Sequence, residues 1–266
     1  MMTSVRATLI VALMLYCIGN PVLAQDSVFL EQLTWMEVRD GIRAGKTTVI
    51  IPTGGTEQNG PHMILGKHNV RVTMTAREIA KRLGNAMVAP TMAYVPEGNI
   101  DPPSGHMRFP GTITLPPEYF AKVVEFAARS LKLAGFIDIV LIGDSGPNQA
   151  PQKLVAEILN REWATTPARV HHIDRYYRGN GWRDYLGTQG LKVEGTHAHL
   201  SDTSLQLAVD PSGVRQKLMA AGKAGDGSGV NGDPTRATAE LGKKVLEIII
   251  DAALKQIEEL KTANRR

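Results

Sequence analysis

The chain has 266 residues, of which 43% are hydrophobic, 21% charged and only 5% aromatic, and its formal net charge is +4. That length suits one α/β domain or two small ones, and the composition excludes disordered, collagenous and polytopic membrane classes. The slight basic excess is spread along the chain and argues against a nucleic-acid partner, while the single cysteine, Cys17, excludes an intramolecular disulfide and any multi-cysteine metal centre.

Residues 1–24 carry Arg6, an apolar run from Ala7 to Gly19 that is too short to span a membrane, and then Pro21-Val22-Leu23-Ala24. This reads as a signal peptide cleaved after Ala24. The expected product is an exported domain, residues 25–266, periplasmic or secreted and free of the membrane once cut. From Leu33 onward, short β-rich runs alternate with amphipathic stretches. The pattern predicts a single α/β domain with a central mixed, mainly parallel sheet flanked by helices. Strands are expected at 47–52, 86–90, 136–142 and 169–176. Helices are expected at 72–83, from about 117 to 134, at 149–163, after the 195–204 loop, and at 235–261. No internal repeat or long linker marks a second domain.

In open α/β sheets, ligands bind beyond the carboxyl ends of the strands. That rule selects three loops: 53–68 (TGGTEQNGPHMILGKH), 143–148 (GDSGPN) and 195–204 (GTHAHLSDTS). The first holds Glu57, Asn59, His62 and His68, and the third holds His197, His199 and Asp202. Together with HMRFPGTITL at 106–115 and GVNGDPTRATAELG at 229–242, they resemble the creatininase family in order and spacing over nearly the whole mature chain.

The resemblance implies a creatininase-like fold, a homo-oligomer that is often hexameric, and hydrolysis of a non-peptide C–N bond in a small molecule by two Zn or Mn ions. Paired divalent ions suit that chemistry because one polarises a carbonyl while the pair acidifies a bridging water. By position, the family's five metal ligands fall on Glu57, Asn59, His68, Ser145 and Asp202. Only Glu57 is unchanged: Asn59 and Ser145 replace histidines, His68 replaces a bridging aspartate, and Asp202 replaces a glutamate. A remodelled site is therefore expected, and creatinine itself is not the expected substrate; a cyclic amide, a lactone or another carbonyl metabolite is.

Three readings of that site are open. In the first, Glu57, His68 and Asp202, with Asn59, hold one ion rather than two, and His197 is a general acid or base that titrates near neutrality. In the second, no metal is needed: Ser145 is the nucleophile, with His197 and Asp202 behind it. In the third, the chain is a non-catalytic binding protein of this fold that has lost its metals. Among the remaining features, His62 and His106 belong to retained motifs and are candidate substrate contacts or supports. His199 stands where the family has glycine, and is either a new ligand or a space filler. His171 and His172 should face opposite ways on one strand. Trp182, in the aromatic segment 174–185, is either a lid over substrate or an oligomer contact.

Overall fold

The computed structural model describes residues 27–263, so the expected signal segment and Cys17 lie outside the described residues. Four strands, β1 (Thr48–Thr53), β2 (Ala86–Val88), β3 (Asp138–Gly143) and β4 (Arg169–His172), form one parallel sheet in the order β2-β1-β3-β4. Antiparallel pairing is confined to a separate small ribbon of β5 (Gly195–His197) and β6 (Asn231–Gly232).

Alternation along the strands builds two cores, because successive side chains point to opposite faces. Val49, Ile51, Ile139 and Leu141 pack with Phe120, Val124 and Ala128 of α3 (Pro117–Ala134) and with Val155 and Leu159 of α4 (Gln149–Glu162). Ile50, Val140 and Ile142 pack on the other face with Val72, Ala76 and Ile79 of α2 (Lys67–Leu83) and with Val245, Ile249, Ile250 and Ala253 of α7 (Ala239–Ala263). A Cβ on Gly242 of α7 would collide with the carbonyl of Ser204, so glycine there lets α7 lie close against α6 (Leu200–Val209). Two shorter helices, α1 (Trp35–Arg43) and α5 (Trp182–Thr188), complete the set of α-helices among the described residues. None of the described helices is long and apolar enough to cross a membrane.

Three boundaries differ from the periodicity. Helix α2 begins at Lys67, not at 72, because its first five residues turn toward polar neighbours and carry no apolar stripe. Strand β4 stops at His172, and Asp174–Tyr176 form a 3-10 turn. Helix α7 starts at Ala239, after Asp233 has accepted hydrogen bonds from the backbone and hydroxyl of Thr235. The two neighbouring histidines face opposite ways as expected: buried His171 bonds Asp138, and half-buried His172 bonds Gln149.

This topology fixes the position of the site. Strands β1 and β3 are neighbours, but the chain leaves β1 toward β2 on one side and β3 toward β4 on the other. Their loops diverge and open a crevice at the carboxyl edge. The β1 loop, the β3 loop and the start of α2 all converge there.

Candidate active site

A cavity of about 1180 Å³ occupies that crevice. Glu57, Lys67, His68, Arg71, His106, Asp144, Ser145, His197, His199 and Asp202 line its floor, and Tyr177, Arg178, Trp182, Arg183, Arg108 and Lys223 reach it from later loops. The three loops selected from the sequence therefore meet.

Glu57 is the hub and is only 2% exposed. Its Oε1 lies 2.8 Å from His68 Nε2, 3.7 Å from Lys67 Nζ and 3.6 Å from His197 Nδ1, and its Oε2 lies 3.2 Å from His106 Nε2. Burial opposes ionisation of Glu57, but His68, Lys67 and His197 together hold it well below the usual carboxylate range. His68 spans two carboxylates, with Nδ1 at 2.8 Å from Asp144 Oδ2. Burial and Lys67 push its pKa down; Glu57 and Asp144 outweigh them and raise it, and the carboxylate at 2.8 Å from each ring nitrogen favours the charged ring, with Arg71 Nη2 at 3.1 Å from Nδ1. Arg71 donates from Nε to Asp144 (2.7 Å) and from Nη1 to Asp202 (2.9 Å). Asp202 also accepts the Ala198 N–H at 2.9 Å and lies 3.2 Å from Lys67 Nζ. Burial opposes ionisation of Asp202, but Lys67, with further help from His199 and Arg71, holds the Asp202 carboxyl well below the usual carboxylate range. The arrangement is therefore three anions, Glu57, Asp144 and Asp202, matched by three cations, Lys67, His68 and Arg71.

The three other histidines of the cavity, His106, His197 and His199, all have pKa values below that of free imidazole. His197 Nε2 donates to the Gln58 carbonyl (2.8 Å), leaving the Nδ1 lone pair toward Glu57. Burial and then Lys67 push its pKa down to about 3. That corrects the expectation of an imidazole titrating near neutrality: with a buried ammonium close by, the ring cannot hold a second proton at pH 7. His106 is also lowered, chiefly by burial. The Gln58 side chain accepts the Gly60 N–H through Oε1 and presents its Nε2 to His106 Nδ1 at 3.0 Å, so the neutral His106 carries its proton on Nε2, toward Glu57.

The profile of the creatininase family, described as creatinine amidohydrolase, matches residues 31–257. The chain belongs to the creatininase family. Over 236 residues it is 25% identical to the mycofactocin precursor peptide peptidase of Mycobacterium tuberculosis, covering 79% of this chain and 84% of the relative. It is 31% identical to the creatinine amidohydrolase of Pseudomonas putida over 116 residues, 44% of each chain. A crystal structure of creatinine amidohydrolase superposes with a TM-score of 0.75 at 24% identity, covering 88% of this chain and 98% of that one. A creatininase of Zn-Zn type superposes with a TM-score of 0.70 at 25% identity over 88% and 98%.

In this creatininase-family chain one group of three side chains, among the described residues, has the donors to hold a divalent ion. Glu57, His106 and His197 offer ligand atoms that all lie within 4.8 Å of one another. One ionised carboxylate and two neutral imidazoles form a donor set suited to a first-row divalent ion, although His106 must give up its Nε2 proton as the ion enters. The four ligands expected from the sequence do not meet on one ion. Glu57 and His68 bond each other, and Asp202 is taken up by Arg71, Lys67 and the Ala198 N–H. Asn59 lies outside the cavity lining, fully buried, and donates its amide to the carbonyls of Glu57 and Ile64.

The remaining candidates are placed as follows. Ser145 is 3% exposed and lines the cavity, but no hydrogen bond joins its hydroxyl to His197 or Asp202, so the arrangement is not a serine triad. His62 is fully buried behind the site, bonding Thr203 through Nε2, and is a support rather than a substrate contact. His106 does line the cavity, but its ring bonds Gln58 and Glu57 rather than the turn at 109–112. His199 caps α6 by accepting from the Asp202 N–H, and Trp182 meets its ring edge-on at 6.3 Å, which places Trp182 at the cavity. Lys67, Arg71 and Asp144 were not flagged from the sequence. The clue was helical spacing, since 67, 68 and 71 share one helix face once α2 is started at 67.

Glu97 is 2% exposed and its carboxyl oxygens make no hydrogen bond of good geometry. Burial, with the Glu57 charge adding to it, pushes its pKa up to about 10. The unfolded chain releases that proton near pH 4 to 5 and the native chain keeps it to about pH 10, so stability falls as pH rises through this window. Glu97→Gln, which cannot titrate, should gain about 1–3 kcal/mol at pH 8 and much less at pH 5. Urea titrations at the two pH values measure this; an equal effect at both would refute a protonated Glu97.

Proposed function

We propose that the chain is a hydrolase that cleaves a C–N bond in a small anionic substrate with the help of one divalent ion. The observation that carries this reading is the convergence of Glu57, His106 and His197 on one point of the cavity floor. Zn or Mn held there would polarise the scissile carbonyl and acidify a bound water. Around that point, Lys67 offers an ammonium to the substrate, and His68 stores a proton at Nε2 against Glu57 Oε1. Trp182 and Tyr177 line the approach and would exclude bulk water. Both named relatives, a peptidase and an amidohydrolase, support C–N cleavage as the reaction class.

The anionic preference rests on the mouth of the cavity. Arg108, Arg178, Arg183 and Lys223 reach the lining, where Asp184 is the acidic residue beside them, while Asp226 accepts the backbone N–H of Lys223. Among the described residues none of the four side chains has a salt bridge to a carboxylate; Arg178 and Arg183 instead lie over the rings of Tyr177 and Trp182. With the floor already neutral, this excess is free to attract a carboxylate. Export through the N-terminal segment and assembly into a homo-oligomer belong to the same proposal. An apolar face of Tyr119, Val123 and Phe126 on α3, with Leu154 and Ile158 on α4, is exposed and supports the assembly.

The reading is tested by loading the protein with Zn²⁺ or Mn²⁺ and following amine release from cyclic amides and short peptides, each paired as free carboxylate and carboxamide. The carboxylate of a pair should be favoured at least tenfold in kcat/KM, with the advantage shrinking as salt is added. Release from none of them, or preference for the neutral partner, would sink it.

A further inference from the structure

The charge balance of the cavity floor bears on how many ions the chain can hold. Lys67 is the first residue of α2, is 1% exposed, and lies between carboxylates from two other elements, at 3.7 Å from Glu57 Oε1 and 3.2 Å from Asp202 Oδ2. The same helical turn and the next deliver His68 onto Glu57 and Asp144, and Arg71 onto Asp144 and Asp202. Every floor carboxylate is thus already bonded to a side-chain cation. A divalent ion seated on Asp202 would have to displace both Arg71 and Lys67 from buried positions, and would then lie against an ammonium with nowhere to retreat.

We propose that Lys67 takes the place of a second divalent ion, so that the chain binds at most one, and that the Lys67 ammonium supplies the second positive charge to the substrate. An ammonium has three N–H donors and here two carboxylate neighbours, Asp202 at 3.2 Å and Glu57 at 3.7 Å, so at least one donor is left for the cavity that Lys67 lines. Unlike an ion, this charge cannot be removed by a chelator. The inference rests on the one-ion reading above for its total count, but the exclusion at Asp202 stands independently of it.

The experiment counts ions. Wild-type protein is stripped with a chelator, saturated with Zn²⁺ or Mn²⁺, desalted and measured by elemental analysis, with titration calorimetry as a second reading of stoichiometry. The expected count is no more than one per chain. Lys67→Met, which keeps the length of the side chain but not its charge, should take up one ion more than wild type and gain a Zn-dependent rise in Tm that wild type lacks. Lys67→Arg should keep the wild-type count. Two ions in the wild type, or a folded Lys67→Met with an unchanged count, would overturn the proposal. Should Lys67→Met fail to fold, the wild-type count decides alone. A wild-type count of zero with a count of one in Lys67→Met would refute the ion at Glu57, His106 and His197 and support the displacement by Lys67.

Discussion

Arg71→Leu should lower folding stability by about 3–5 kcal/mol, the range typical of breaking a buried ion pair from one side. The guanidinium is 5% exposed and bonds Asp144 and Asp202 at once, so its loss leaves two carboxylates in a site that water scarcely reaches. Burial opposes their ionisation. Arg71 is then the main influence lowering Asp144, and it assists Lys67 and His199 in lowering Asp202. A carboxylate with a depressed native pKa adds stability above its unfolded pKa, near 4, and that stability is lost as pH falls through the native value. The variant should accordingly lose more at pH 7 than at pH 4. Arg71→Lys should recover only part, because a single ammonium cannot reproduce the fork that bridges two acids. Denaturant unfolding at both pH values decides it; a loss below about 1 kcal/mol at pH 7 would mean that Arg71 is dispensable to the floor.

For turnover, the largest expected loss is at His197. Its Nδ1 lone pair faces Glu57 while its Nε2–H is fixed on the Gln58 carbonyl, so the ring is oriented before any ligand arrives. Removing an outer partner of a metal ligand costs roughly 10–100-fold in metal affinity or activity. Gln58→Ala should fall in that range, because it frees His106 Nδ1 from its donor, while His197→Ala should exceed it, because one of three ligand atoms is gone. Both variants should retain the wild-type far-UV CD spectrum and keep their KM for an anionic probe within a few-fold, since the mouth cations are untouched. A His197→Ala enzyme within tenfold of wild type in kcat would exclude the ring from the site.

The strands were legible because β1 and β3 are short, strongly apolar runs, TVIIPT and DIVLIG, each bounded by turn residues. The site was legible as three loops at one sheet edge, and Glu57, His197, His199 and Asp202 do meet there. What a position-by-position comparison of ligands could not reveal is that the substituted residues pair with one another. His68 in place of an aspartate looks like a weakened metal ligand, and only its contacts with Glu57 and Asp144 identify it as a cation between two acids. Asp144 was passed over beside the more suggestive Ser145, and Lys67 and Arg71 lie where helical periodicity has no apolar residue to report. Tyr176, assigned to a strand, instead turns back under Asp144 with its hydroxyl 3.3 Å from Oδ1, because β4 ends four residues earlier.

Helix α2 opens in an unusual way. Gly66 precedes it without a side-chain cap, its first turn contains no acidic residue, and Lys67, His68 and Arg71 crowd the end where the peptide dipoles already concentrate positive charge. In isolation this start would fray. It holds because the β1 loop, the end of β3 and α6 each bring one carboxylate to it, so three distant segments together do the work of one missing cap. The first turn of α2 and the floor of the cavity therefore form as a single cooperative unit. A local opening that releases any one of the three acids loosens the helix start together with the site, while the later turns of α2 stay anchored by Val72, Ala76 and Ile79 in the core.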